Sequence, residues 1–174
     1  MKMIQICAMM LIVIFSLTPL YAETNPQLFQ KAMKFAKDGE MDLAFMNYHS
    51  ILSDPLSSRY ADEALFACAE YQYLVRNFFE ANVLFRKYVD TAQSKQGKLF
   101  ALVYLMRIAQ EKKDLDAVAE IRKQVISFKR HSFIFKDFRE YNFLSPLRRA
   151  HKATYNINKI EFFIEGEFFA KISY

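Results

Sequence analysis

The sequence predicts a mainly α fold: an antiparallel helical-hairpin superhelix followed by a small C-terminal β-hairpin or three-stranded element. Three observations carry this expectation. Apolar residues recur at three- and four-residue spacing from Pro26 to Phe128, an alanine-anchored motif returns at a nearly constant interval, and beyond residue 128 the helical period fades into a phenylalanine-rich alternating pattern. With 174 residues, 53% of them hydrophobic, and only three glycines, the chain is long enough to bury a core and too regular for a low-complexity segment.

The chain opens with Lys2, an apolar run over 6–17, the breaker Thr18-Pro19, and Tyr21-Ala22. Residues 1–22 therefore read as a secretory signal peptide cleaved near Ala22, although Leu20 stands where the pattern prefers a small residue. The competing reading, a membrane anchor, falls short of the ~20 apolar residues that span a bilayer. Cys7 lies inside the apolar run, so the expected mature chain keeps one cysteine, Cys68, and has no N-terminal cysteine to lipidate. Cys68 sits in the apolar 64–73 stretch and reads as a buried, unreactive thiol. The expected location is outside the cytoplasm, periplasmic or secreted.

Residues 23–128 form the expected repeat domain, with helices near 26–37, 41–53, 60–75, 78–92, 97–112 and 114–127. Gly39 closes the first helix, and Gly97 is expected to separate the fourth from the fifth. Superposing the helix pairs gives Ala44-x-x-x-Tyr48-x-x-Ile51, Ala81-x-x-x-Phe85-x-x-Tyr88 and Ala117-x-x-x-Ile121, with the alanines 37 and 36 residues apart. First helices carry Leu28, Ala32 and Phe35 in register with Leu65, Ala69 and Gln72. A small residue lets paired helices approach, and the aromatic fills the space beside it.

On these residues the 25–128 segment resembles the tetratricopeptide repeat (TPR) family, whose period is about 34 residues. Asp54-Pro55-Leu56-Ser57-Ser58-Arg59-Tyr60-Ala61-Asp62-Glu63-Ala64-Leu65 is similar to the inter-repeat signature of exported bacterial envelope TPR proteins of the outer-membrane assembly lipoprotein and Tol-Pal coordinator type, here without the lipidated cysteine. The third unit departs from the pattern, with Leu105 where a small residue is expected and Gln124 where an apolar one is.

Residues 129–174 form a basic, aromatic-rich C-terminal β element. Ser145-Pro146 marks a turn, and 150–156, 159–164 and 167–173 read as strands, the last two joined through Glu165-Gly166. A two-residue turn aligns Phe163 with Phe168 and Phe162 with Phe169, placing aromatics on both faces. The 133–141 stretch reads as a short helix or an irregular packing segment. Fourteen basic and fourteen acidic residues balance over 23–128, whereas nine Lys and Arg face five acids over 129–174. That excess permits peripheral contact with an anionic surface, but it is more simply a solvated rim that keeps an aromatic-rich element in solution.

No catalytic residues, cofactor or metal are expected. His49, His131 and His151 are far apart in sequence, no ligand spacing is present, and no glycine-rich loop cradles a phosphate. Nucleic acid is an unsuitable partner for an exported chain. The resemblance implies a scaffold whose first helices line a groove that binds a protein or peptide partner in the envelope. Its lining would be Phe29, Met33, Glu63, Phe66, Glu70, Tyr73, Leu102 and Met106. Two alternatives stand beside it: the protein's own C-terminal element covers these side chains, or the chain is a structural subunit that self-associates.

Overall fold

The computed structural model describes residues 24–54, 59–131, 140–155 and 158–173. The expected signal peptide over 1–22 lies outside the described residues, as does 133–139. Six helices are present among the described residues: α1 Asn25–Asp38, α2 Met41–Ser53, α3 Ala61–Leu74, α4 Phe78–Thr91, α5 Lys95–Glu111 and α6 Leu115–His131. Each packs mainly on its sequence neighbours, so the stack is built from the hairpins α1/α2, α3/α4 and α5/α6. No described helix is long and apolar enough to cross a membrane.

Three helices, α4, α5 and α6, begin where a side chain satisfies a free amide. Asn77 Oδ1 accepts from the Glu80 amide at 3.4 Å, Ser94 Oγ from Gly97 at 3.1 Å, and Asp114 Oδ1 from Ala117 at 3.0 Å. Their first-helix ends repeat more strictly than the alanines do. Gly39, Arg76 and Lys113, each 37 residues from the next, all adopt positive φ (82°, 62° and 57°). After each, the next amide donates to the carbonyl five residues back: Glu40 to Phe35, Asn77 to Gln72, and Asp114 to Ala109, all at 2.9 Å. This is a Schellman closure copied three times. Only the first copy uses glycine, and a Cβ added there would meet nothing within 4 Å. Gly39→Ala should therefore cost about 1–2 kcal/mol through backbone strain alone, while Lys113→Gly should gain about 0.5–1 kcal/mol; thermal melts of the two variants check the opposite signs.

The alanine motif packs as its spacing requires. Ala44, Tyr48, Ile51, Ala81 and Phe85 are fully buried and Tyr88 nearly so, whereas Ala117 is half-buried and Gln124 exposed. Ala81→Leu should overpack the α3/α4 contact and cost about 1–3 kcal/mol, with Ala117→Leu close to neutral in the same melting assay. Gly97 stands between α4 and α5 as expected, at the start of the latter. It falls in the first turn of α5, where an added Cβ would strike the Tyr88 hydroxyl and come within 2.7 Å of its Cζ. The glycine makes room for the ring.

The C-terminal element is a four-stranded antiparallel meander: β1 Glu140–Leu144, β2 Ala150–Tyr155, β3 Lys159–Ile164 and β4 Glu167–Ser173. β1 exceeds the three strands expected. Glu165 and Gly166 form the tight turn at φ 54° and 82°, with Phe163 opposite Phe168. Phe162 pairs with Ala170 rather than Phe169, because a bulge between Phe162 and Phe163 shifts the register. One face presents Ala153, Ile160, Phe162, Ile164, Ala170 and Ile172, and these merge with side chains of α3–α6 into one buried cluster. α5 is apolar on all sides, with Leu99 to Met106 all buried. That composition fits a helix enclosed by neighbours and sheet.

Candidate functional site

The route of the C-terminal element decides what remains of the expected groove. The sheet lies over α3 and α5, and the 145–149 turn between β1 and β2 reaches the first repeat. Leu147 is fully buried in a second cluster with Ala32, Ala44, Tyr48, Ala64 and Cys68, and the Tyr48 hydroxyl donates to the Pro146 carbonyl at 3.1 Å. Burial also pushes the Cys68 thiol up to about 12, consistent with an unreactive group.

Four of the expected lining residues are brought together. Phe29, Met33, Glu63 and Phe66 share a cleft of about 760 Å³ with Tyr48 and Tyr88. Its opposite wall is the C-terminal segment, contributing Phe143, Leu144, Pro146 and Arg148. Phe29 stacks on Tyr60 at 4.5 Å and meets the edge of Tyr48 at 6.0 Å, while Phe66 meets Tyr88 and Phe143 edge to face at 5.2 Å. Arg59, Asp62, Glu63 and Arg148 supply two charges of each sign, with Asp62 also accepting from the Gln93 amide at 2.8 Å. Burial, followed by the charges of Asp62 and Glu63, raises Tyr88 to about 12 against the bond from Ser94, so the phenol stays neutral.

The other four are covered. Leu102 and Met106 belong to the buried cluster shared with the sheet, and Tyr73 is half-buried against Tyr104 at 4.8 Å and Phe169 at 5.8 Å. They do not line a groove because a sheet with one continuous apolar face must bury it, and the α3 and α5 side chains are where it does so.

Glu70, fully buried on α3, sits at the centre of an ionic cluster. Its Oε1 accepts from the Tyr104 hydroxyl at 2.8 Å and lies 3.1 Å from His151 Nε2 and 3.4 Å from an Arg149 guanidinium nitrogen. His151 Nδ1 is 2.9 Å from the Arg149 carbonyl, which can only accept, so Nδ1 carries a proton. Nε2 is also 3.0 Å from the Tyr104 oxygen. Tyr104 has one proton and gives it to Glu70, so Nε2 lies beside two oxygens of the same cluster. Burial drives the Glu70 carboxyl upward; the His151 bond and charge, the Ser145 hydroxyl and Arg149 outweigh it and hold the carboxyl below its ordinary range. Ser145 helps without closing a hydrogen bond of normal geometry, since Oε2 has no partner among the described residues. Burial and the Glu70 charge push Tyr104 well above the usual phenol range.

Sequence reasoning missed Arg149, His151 and Tyr104, which lie 79, 81 and 34 residues from Glu70 and carry no local signal. It also missed Arg148 and the rest of the cleft's second wall. Of the five described basic side chains in the C-terminal segment, Arg149, Lys152 and Lys159 form ion pairs, to Glu70, Glu140 and Glu161. Among the described residues no cluster of three His, Cys, Asp or Glu is placed to hold a metal. No protein-family model matches the chain, and no curated protein or solved structure matches it either.

Proposed function

We propose that the chain is an exported, non-catalytic scaffold that binds a protein or peptide partner in the cell envelope and seats an apolar side chain of that partner in the cleft between the first repeat and the 145–149 turn. The cleft itself carries this reading. Its volume of about 760 Å³ is that of a binding pocket, its floor is aromatic, and its rim holds opposed charges that suit a polypeptide carrying both signs. The TPR-like repeat pattern and the Lys2, 6–17 and Ala22 pattern support scaffold and export respectively. The ionic cluster offers no competing catalytic site, because Glu70 and His151 are sealed at 0% and 2% exposure.

A photo-crosslinking side chain at Glu63, on the exposed rim, should capture one defined envelope partner in cells, and Met33→Asp in the same chain should abolish capture. The same crosslinker at Phe168, on the outer sheet face, should not capture it. Equal capture from both positions, or capture indifferent to Met33→Asp, would remove the cleft from consideration.

Self-association as a structural subunit is the second reading, favoured by exposed apolar side chains at equivalent positions of the second helices. Met46 and Val83 are 61% and 47% exposed, and Phe79 and Leu115 are 72% and 78% exposed. Light scattering on the purified protein separates the two readings: a stable oligomer lost on Phe79→Lys supports assembly.

A further inference from the structure

The cleft and the ionic cluster are joined through one short turn. Pro146 and Arg148 form part of the cleft wall, and Arg149, the next residue, is held by Glu70. Within the turn the Arg148 amide donates to the Ser145 carbonyl at 2.8 Å, the Arg149 amide to Ser145 Oγ at 3.2 Å, and the Ser145 amide to the Arg149 carbonyl at 3.0 Å. That same Arg149 carbonyl receives His151 Nδ1. Arg148 adopts φ 64°, an unfavourable backbone state for a side chain with a Cβ, which persists only where its surroundings fix it. On either side, Leu147 enters the apolar cluster of the first repeats and Arg149 enters the ionic one.

We infer that Glu70 is the positioning residue of the cleft: by holding Arg149 and His151 it fixes the 145–149 turn as a wall, so neutralising this buried carboxylate loosens the wall while the helical stack stays folded. Glu70 does not itself line the cleft and acts through its neighbours. The titratable and charged groups around it come from every element packed there. Tyr104 faces it from α5, where Arg107 lies beyond Tyr73; Tyr73 is on its own helix; Arg149 and His151 come from the start of β2. Without the carboxylate the Arg149 guanidinium, already partly exposed, loses the anion it is paired with, and the favourable response is for the turn to carry it toward water. Acid should act in the same sense, since protonating Glu70 removes the same charge.

Any bearing of this wall on partner binding rests on the cleft being the binding site, as proposed above. The wall itself is measured without a partner, so either idea can fail alone. The test is native-state amide exchange by NMR on the full chain, normalised to intrinsic rates. In Glu70→Gln the Ser145, Arg148 and Arg149 amides should be accelerated at least tenfold more than the central amides of α4, whose own rise reports the loss of global stability. Glu70→Asp should restore part of the protection, and lowering the pH below the ordinary carboxyl range should reproduce the Glu70→Gln pattern in the unsubstituted chain. Turn amides as protected as before would overturn the inference. So would a rise shared equally by turn and α4, which would make Glu70 a stability residue only. Should Glu70→Gln not fold, Arg149→Met with the same two sets of amides decides between the same outcomes.

Discussion

Truncation before Lys159 is expected to abolish the cooperative melting transition of the repeats rather than to trim an appendage. The deletion removes β3 and β4, and with them the buried Ile160, Phe162, Ile164 and Ile172. At about 1.5–3 kcal/mol for each large apolar side chain returned to water, the loss is roughly 6–12 kcal/mol. Whole-domain stabilities are about 5–15 kcal/mol, so the remaining chain has little margin. It would also expose α5, whose Phe100, Leu102 and Met106 are now covered, and aggregation should accompany the loss. Circular dichroism on heating, together with light scattering, reads both effects. A truncated chain that melts like the full one would show that the sheet is not integral to the core.

Glu70→Leu is expected to destabilise the chain by about 1–3 kcal/mol, since it leaves the partly exposed Arg149 guanidinium, the His151 ring and the Tyr104 hydroxyl without the acceptor they share. Replacing the whole cluster is a different experiment. Combining Glu70→Leu with Arg149→Met and His151→Leu removes the charges together and should recover much of the loss, giving a strongly non-additive set. The pH dependence follows from the direction of the Glu70 shift. A carboxyl held below its ordinary range stabilises the fold above that range, and the contribution disappears as pH falls through the folded-state value. Chemical denaturation at neutral pH and at successively lower pH should therefore show an acid loss in the unsubstituted chain that is much smaller in the triple variant. Parallel pH curves for the two proteins would assign the acid sensitivity elsewhere.

The helices were legible because their signals are local. Cap residues, apolar spacing and the alanine period all act within one hairpin, and every helix begins within two residues of its expected start. The three copies of the positive-φ turn were only partly visible, since glycine marks the first and Arg76 and Lys113 give no sign of it. β1 escaped although Glu140 to Phe143 alternates polar and aromatic, because the run is only five residues long and becomes a strand by pairing with β2. The bulge beside Phe162 was equally hidden: alternation alone pairs Phe162 with Phe169, and one extra residue in β4 changes that partner.

The groove was half legible for the same reason. Periodicity along α1 and α3 placed Phe29, Met33, Glu63 and Phe66 on one face, and that face does line the cleft. It also placed Glu70 and Tyr73 there correctly as helix positions. Their covering depends on where residues 140–173 dock, a non-local outcome that no spacing within α3 records. Glu70 shows this most clearly, because an acid read as part of a groove lining is instead buried and held by a turn far along the chain.

Native-state amide exchange on the unsubstituted protein tests most directly whether the repeat stack and the sheet form one structure. If the side chains of α3 and α5 are covered by the protein's own sheet as part of a single core, the central amides of β3 and α5 open together. Their opening free energies should then agree within about 1 kcal/mol and fall equally with added denaturant. β3 amides that open several kcal/mol more easily than those of α5, with no denaturant dependence, would contradict the account and make the sheet a separable flap over an otherwise independent helical stack.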